Sequence, residues 1–335
     1  MPPSARPGVM TGPMWMPRQP PNFERMLAWH PQPIPVLPVA LLIVFLLYGW
    51  GVVVLHRRGV RWPIHRSVWW LVGVASVLSV TATGIDGYGM ELFSAHVVQH
   101  MVLNMLSPVF LVLGAPITLL LRALPTGRGG RGRVRRGILW FLHTRFMAVL
   151  AHPAVTFVLF ILSLYGLYYT PVFDYLMSTW WGHNLMLVHF LLVGLLYFWG
   201  VLGVDPSPRM TRKRARILPG PALSVLEIAA TAPFHAFFGV AVMGSTTLLV
   251  GFYSTTVPGW GVSPLADQAV GGGIAWGFTE IPTLLVLGAL VVIGQHSDER
   301  ATRAADRRRA RGGDTELADY NAYLQSLDRA DTRQC

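Results

Sequence analysis

The chain has 335 residues, of which 53% are hydrophobic and 13% charged, with a formal net charge of +11. A soluble domain carries about a quarter charged residues, so the composition excludes an ordinary soluble globular protein. The positive charge is also not one basic surface for nucleic acid. Of the 27 Lys and Arg residues, 24 fall in four clusters plus Arg145: Arg57–Arg66, Arg122–Arg136, Arg209–Arg216 and the tail from Arg300 to Arg333. Long apolar runs separate them, as expected of loops on one side of a bilayer, and that side is the cytoplasm.

A helix needs about 20 largely apolar residues to cross the hydrocarbon core. Residues 1–35 are rich in Pro and Met and lack an apolar h-region, so no cleavable signal peptide is expected there. Spans are then expected at Val36–Leu55, Ser67–Ile85, Ser94–Leu121, Pro153–Tyr169, Asn184–Val204, Pro221–Val250 and Val270–Gly294. Pro108 and Pro116 in the third and Pro233 in the sixth are expected to kink their helices. Connections 86–93, 170–183 and 251–269 contain no Lys or Arg, whereas every other connection is basic. Strict alternation over seven spans requires this pattern. The fold class is therefore all-α, a polytopic seven-helix bundle with its amino terminus outside and its carboxyl terminus in the cytoplasm.

Gly137–Ala151 is apolar but short, with Arg145 near its middle, and reads as a helix lying on the cytoplasmic face. Residues 295–335 form a basic tail. Beyond Gly312 and Gly313, Leu317, Tyr320, Leu324 and Leu327 recur at helical spacing, a short amphipathic helix. The Arg-rich loops on this side suit anionic lipid headgroups.

Polar side chains inside the spans carry the functional signal. In the third span His96, His100, Asn104 and Ser107 share one helical face; in the sixth Ser224, Glu227, Thr231 and His235 do the same. The fifth holds His183 and His189, and the seventh Glu280. Counted at 1.5 Å per residue, His100, His189 and His235 lie at a similar depth of about 8–9 Å below the outer surface, with His96 and His183 just above. Neutral imidazoles near Met90, Met101, Met105, Met186 and Met243 suit a soft metal, with copper as Cu(I) favoured. The same histidines can instead hydrogen-bond between helices and hold the bundle together. A haem reading, with His100 and His189 as the axial pair, stays open as an alternative. Glu227 and Glu280 admit proton or metal transit, or an interhelical hydrogen bond. His152, before Pro153, reads as a helix cap. No catalytic constellation is present: H-E-x-x-H and G-x-S-x-G are absent. The one lysine, Lys213, lies in a loop, which excludes a retinal Schiff base.

The run HVVQHMVLNMLSPVFLVLGAPITLLLRALP from His96 to Pro125 resembles the signature of the multi-spanning CtaG family of cytochrome c oxidase assembly factors, associated with caa-type oxidases. EIAATAPFHAFFGVAVM from Glu227, GGGIAWGFTEIPTLLVL from Gly271 and the tail ELADYNAYLQSL agree with it, as do His152–Pro153 and the pair His183 and His189. The resemblance runs from about Trp29 to Leu327. It implies a non-enzymatic role in oxidase maturation at the plasma membrane. Copper supply to the extracytoplasmic copper centre, through contact with the copper-carrying subunit, is the form that role takes, with a copper transporter as the alternative.

Overall fold

A computed structural model describes residues 11–127, 130–208, 220–255 and 259–331. The basic cluster Arg209–Arg216 and Cys335 lie outside the described residues. The described chain is helical, with no strand beyond two isolated bridges. It divides into two units, residues 1–286 and 287–335.

Among the described residues, six helices are long and apolar enough to cross a membrane. They are α1 (Val36–Arg57), α2 (Ile64–Thr81), α3 (Phe93–Ala123), α5 (Trp180–Leu202), α6 (whose apolar stretch is Ala222–Met243) and the apolar stretch Pro264–Gln295. That last stretch comprises α7 (Pro264–Phe278) and the start of α8 (Glu280–Asp331). Between them Thr279 keeps a helical backbone, φ −62° and ψ −31°. The expected fourth span is α4 (Pro153–Tyr168), which has only 16 residues. At 1.5 Å per residue it reaches about 24 Å, short of a 30 Å core. The chain then turns at Thr170 and Pro171 into a short helix, Val172–Met177, that leads to α5.

The starts of these helices follow from local chemistry. Thr179 accepts from the Gly182 amide at 3.2 Å to cap α5, and Ser263 accepts from Ala266 at 3.2 Å to cap α7. Pro153 and Pro264 sit at first helical positions, where a missing N–H costs nothing. At its other end α5 stops at Gly203, whose φ of 58° is left-handed.

α3 is the axis of the bundle and, with α5, its most buried helix. It is not a regular α-helix. A π-helical turn, Val102–Leu106, precedes Pro108, and Ala115 breaks the helix with φ 51° just before Pro116. Both expected disturbances in α3 are therefore present, each beside its proline. α6, in contrast, runs through Pro233 and ends at Met243, earlier than the expected Val250. Gly194 on α5 faces the π turn, and a Cβ there would collide with the Asn104 carbonyl oxygen. Glycines likewise let α6 and α7 approach backbone to backbone, Gly239 against the Trp276 amide and Gly272 against that of Met243.

Gly137–Ala151 forms two short helices, Arg133–Leu142 and Arg145–Leu150, separated at His143–Thr144. In the second unit α8 continues without a break through Gly312 and Gly313 to Asp331, longer than the short amphipathic segment read from the sequence.

The contact at Gly194 gives a direct test. Gly194→Val overpacks the α3–α5 seam and should cost about 1–3 kcal/mol, seen as a lower Tm of the detergent-solubilised protein. Gly137→Ala, where a Cβ meets nothing within 4 Å, should leave Tm unchanged or slightly raised.

Candidate metal centre

Three of the five histidines singled out above come together. His96 and His100 lie one turn apart on α3, with ring centroids 3.9 Å apart, and His183 from α5 approaches His96 at 5.7 Å. All three are fully buried. The His100 Nδ1 hydrogen-bonds the Tyr168 hydroxyl of α4 at 2.7 Å. The His183 Nε2 stands 4.0 Å from the Asp86 carboxylate. Aromatic rings enclose the cluster: Phe173 at 5.1 Å from His96 and Phe190 at 3.9 Å from His100.

Both ring nitrogens of His96, both of His183 and Nε2 of His100 are buried and make no well-formed hydrogen bond. One polar oxygen near His96, the Gly89 carbonyl, accepts the Tyr253 hydroxyl at 2.6 Å. One turn below His100, the Asn104 amide is also buried without a partner at either atom. The Gly89 carbonyl also acts on His96 as a backbone partner, and His183 Nε2 faces Asp86, but buried polar groups are almost always fully satisfied, so this concentration of imidazole nitrogens needs an explanation. As the side chains stand, no three His, Cys, Asp or Glu among the described residues are set to hold a metal ion. The donor chemistry nevertheless fits one. In His100 one nitrogen is committed to an oxygen partner, and in His183 one faces the carboxylate of Asp86. The opposite nitrogen of each is left free, the usual arrangement of metal-ligating imidazoles.

The remaining candidates lie elsewhere. His235 on α6 is buried with both nitrogens unpartnered, but its ring packs on Phe160 at 5.1 Å, outside the cluster. His189 is exposed on the outer surface of α5 and touches only its neighbour Phe190 among the rings, at 5.8 Å. Glu227 is buried on α6, where Tyr197 donates to its backbone carbonyl at 3.2 Å and pairs with Thr231 at 2.9 Å. Glu280 is exposed. His152 is a cap, its Nδ1 accepting from the Ala154 amide at 3.3 Å.

Asp86, Gln99 and Tyr168 complete the centre, and their roles are not evident from spacing. Asp86 sits on a short helix, Gly84–Tyr88, between α2 and α3. Gln99 donates to it at 2.6 Å and to the Val80 carbonyl at 2.8 Å. Burial pushes the Asp86 carboxyl up to about 7, against the lowering effect of hydrogen bonds from Gln99 and Gln32. The sequence signal for Gln99 is its place between the two histidines of the His96–Pro125 run; for Tyr168 there is none.

The amino-terminal segment packs on the connections that flank the centre, and its Gln32 reaches Asp86. Thr11 pairs with Ser178 through its amide at 2.9 Å. Trp15 exchanges backbone hydrogen bonds with the Gln32 side chain at 2.8 and 3.3 Å, and its ring stacks on His30 at 3.7 Å. The Gly84 amide donates to the Ala28 carbonyl at 2.9 Å, and Tyr88 donates to the Gln19 carbonyl at 3.1 Å. A cavity of about 800 Å³ lies between this strap and Tyr88 and Glu91, lined also by Met14, Met16, Arg18 and Arg25.

Fold and site together define a polytopic helical membrane protein with a buried imidazole cluster near one end of its bundle. Residues 46–293 match the family of cytochrome c oxidase caa3 assembly factors, and the chain belongs to that family. It is 42% identical over 315 residues to uncharacterized proteins of Mycobacterium bovis and Mycobacterium tuberculosis, and 39% identical to one of Mycobacterium leprae. Each alignment covers 93% of this chain and 46% of the relative, so the chain spans about half the length of these proteins. No solved structure matches it.

Removing the carboxylate isolates its share in the fold. Asp86→Ala leaves a Gln99 N–H buried without its acceptor and should cost about 1–3 kcal/mol. Asp86→Asn, which keeps an acceptor oxygen, should lose clearly less in the same thermal unfolding series.

Proposed function

We propose that this protein matures a caa3-type oxidase by holding copper, as cargo, at His96, His100 and His183 before it passes to the copper-carrying subunit. The observation that carries this reading is the set of five buried ring nitrogens without well-formed hydrogen bonds. Imidazole suits copper, and the Met101 and Met186 side chains, both buried near these histidines in sequence, supply a soft environment. A bare ion is favoured over haem because His100 is packed ring against ring at 3.9 Å on both His96 and Phe190. His189, the other half of the haem pair, is exposed. The role is non-catalytic: Tyr168 orients the His100 imidazole by its hydrogen bond, Asp86 faces His183 at 4.0 Å, and the strap of residues 11–32 shields the cluster from water.

In this reading the chain crosses the plasma membrane seven times. α4 is the thin span, completed by the Thr170–Pro171 turn, and the imidazole cluster lies in the extracytoplasmic half. The basis is the three connections free of Lys and Arg at this end of the bundle, under the positive-inside rule. A reporter fused after Asp267 should be active outside and one fused near Asp319 active inside. The reverse pattern overturns the orientation.

His96→Ala combined with His100→Ala should abolish high-affinity Cu(I) binding under reducing conditions. It should also fail to restore assembled oxidase in a deletion strain whose oxidase transcripts are normal. A correctly inserted, monodisperse double variant that titrates Cu(I) like wild type removes the copper centre from the proposal.

A further inference from the structure

Among the described residues, two ionisable side chains stand on the outward surface of the spans, away from their ends: His189 and Glu280. Neither belongs to the imidazole cluster. Glu280 is the harder to account for. It begins α8 midway along the apolar stretch Pro264–Gln295, with Trp276 (50% exposed), Ile281 (55%) and Leu284 (66%) on the same outward side. A Cβ at Gly277, one turn before it, would meet nothing within 4 Å. The carboxyl therefore lies on an apolar, open face at a depth where lipid offers no hydrogen bond. The glycine beside it leaves room for another helix to approach closely.

We infer that the α7–α8 face bearing Glu280 docks a transmembrane helix of the oxidase, one that presents a cation at mid-membrane. This rests on the reading of the chain as an assembly factor that meets its oxidase, and it names the surface and the chemistry of that meeting.

Depth decides against a second copy of this chain as the occupant. Asp267 near the start of α7 is hydrogen-bonded to Ser94 near the start of α3, so these two residues share a level just above His96. Glu280 lies 13 residues beyond Asp267, about 20 Å deeper. His189 lies six residues beyond His183, which is beside His96, so only about 9 Å deeper. A second copy inserted in the same sense sits at the same depth, and cannot bring His189 to Glu280. Among the described span residues it offers no exposed cation at the depth of Glu280, so a cation opposing Glu280 must come from a different helix.

The test uses the full chain in membranes of a deletion strain that expresses the oxidase. A photo-crosslinking residue replaces Leu284 on the proposed face or, as a control, Leu42 (57% exposed) on α1. Light should join an oxidase membrane subunit, identified by mass spectrometry, to position 284 and not to position 42. Adding Glu280→Leu should lower the adduct about tenfold, the fold-change expected of one charge-assisted hydrogen bond. Glu280→Gln, which still accepts and donates, should lose less. An undiminished adduct in Glu280→Leu, equal adducts at both positions, or an adduct only with lipid or a second copy overturns the inference. Cu(I) titration of Glu280→Leu should match wild type, and a parallel loss of copper binding counts against a pure docking role. If the wild-type chain restores oxidase assembly yet position 284 yields no oxidase adduct, the docking surface falls and the assembly reading stands. If wild type restores nothing, both fall.

Discussion

The hydrocarbon core supplies no hydrogen bonds, and this constraint organises the structure. Every polar group carried into it must be satisfied inside the bundle, or be kept there for a purpose. α3 carries most of that burden. His96, Gln99, His100, Asn104 and Ser107 lie along it, all buried. Some are settled locally: Ser107 accepts from Ser76 at 2.8 Å, and Gln99 bridges Val80 and Asp86. The rest require neighbours, so α2, α4, α5 and α7 are arranged around α3. The close approaches at Gly73 and Gly194 bring α2 and α5 against it, at Leu111 and Asn104 respectively.

The π turn belongs to the same logic. Pro108 cannot donate to the helix behind it, and a π-helical turn takes up the mismatch at Val102–Leu106. The extra residue in that turn shifts the rotational register between the histidines above and Ser107 below. It also brings the Asn104 carbonyl to the surface that Gly194 meets. One proline thus sets the α3–α5 seam that holds His183 opposite His96. The acidic residues outside the spans do comparable work on the connections. Asp174 accepts from the Gly251 and Phe252 amides at 3.2 and 2.9 Å, and Asp205 accepts from Ile117 and Thr118 at 3.1 and 2.8 Å. Burial raises the Asp205 carboxyl, and its hydrogen bonds with Thr118 and Ile117 draw it back.

Much of the fold was legible because hydrophobic runs and arginine clusters are one-dimensional signals. Six of the expected spans appear as long apolar helices, with ends shifted by up to about two turns, most at Met243 and Pro264. α4 was harder to place, because an apolar run does not reveal where Thr170 and Pro171 will turn the chain. Of the site, the His96 and His100 pair was readable from helical spacing, since both belong to one helix. His183 against His189 was not: the two lie six residues apart, and only packing decides which one faces inward. His235 is also turned inward, but its ring packs on Phe160, two turns of α4 from the Tyr168 that meets His100, so it lies deeper than the cluster, a level that counting along one helix missed. Asp86, Tyr168 and Gln32 reach the centre from three other segments, and no local pattern marks a residue for a contact made by tertiary folding. The strap of residues 11–32 was read only as a Pro/Met-rich tail, because its hydrogen bonds run largely to distant parts of the chain.

The cluster's environment also argues about its purpose. If its histidines served only to tie helices together, selection for stability would leave their nitrogens paired, as Tyr197 and Thr231 are paired deeper in the bundle. Each orphaned buried polar atom costs about 1–3 kcal/mol, and apolar residues of similar shape would avoid that cost. A bundle that gathers several such atoms and encloses them in aromatic rings concentrates that cost around His96, His100 and His183, although His235 on α6 bears it too. Strained or unsatisfied groups concentrated in this way mark sites whose partner arrives from outside. On the reading proposed above, the partner of His96, His100 and His183 would be small, because the rings around them are already in contact, and would accept lone pairs, because neutral imidazoles offer them. A soft cation meets both conditions, and its passage would require the segment held by Thr11, Trp15 and Gln32 to yield.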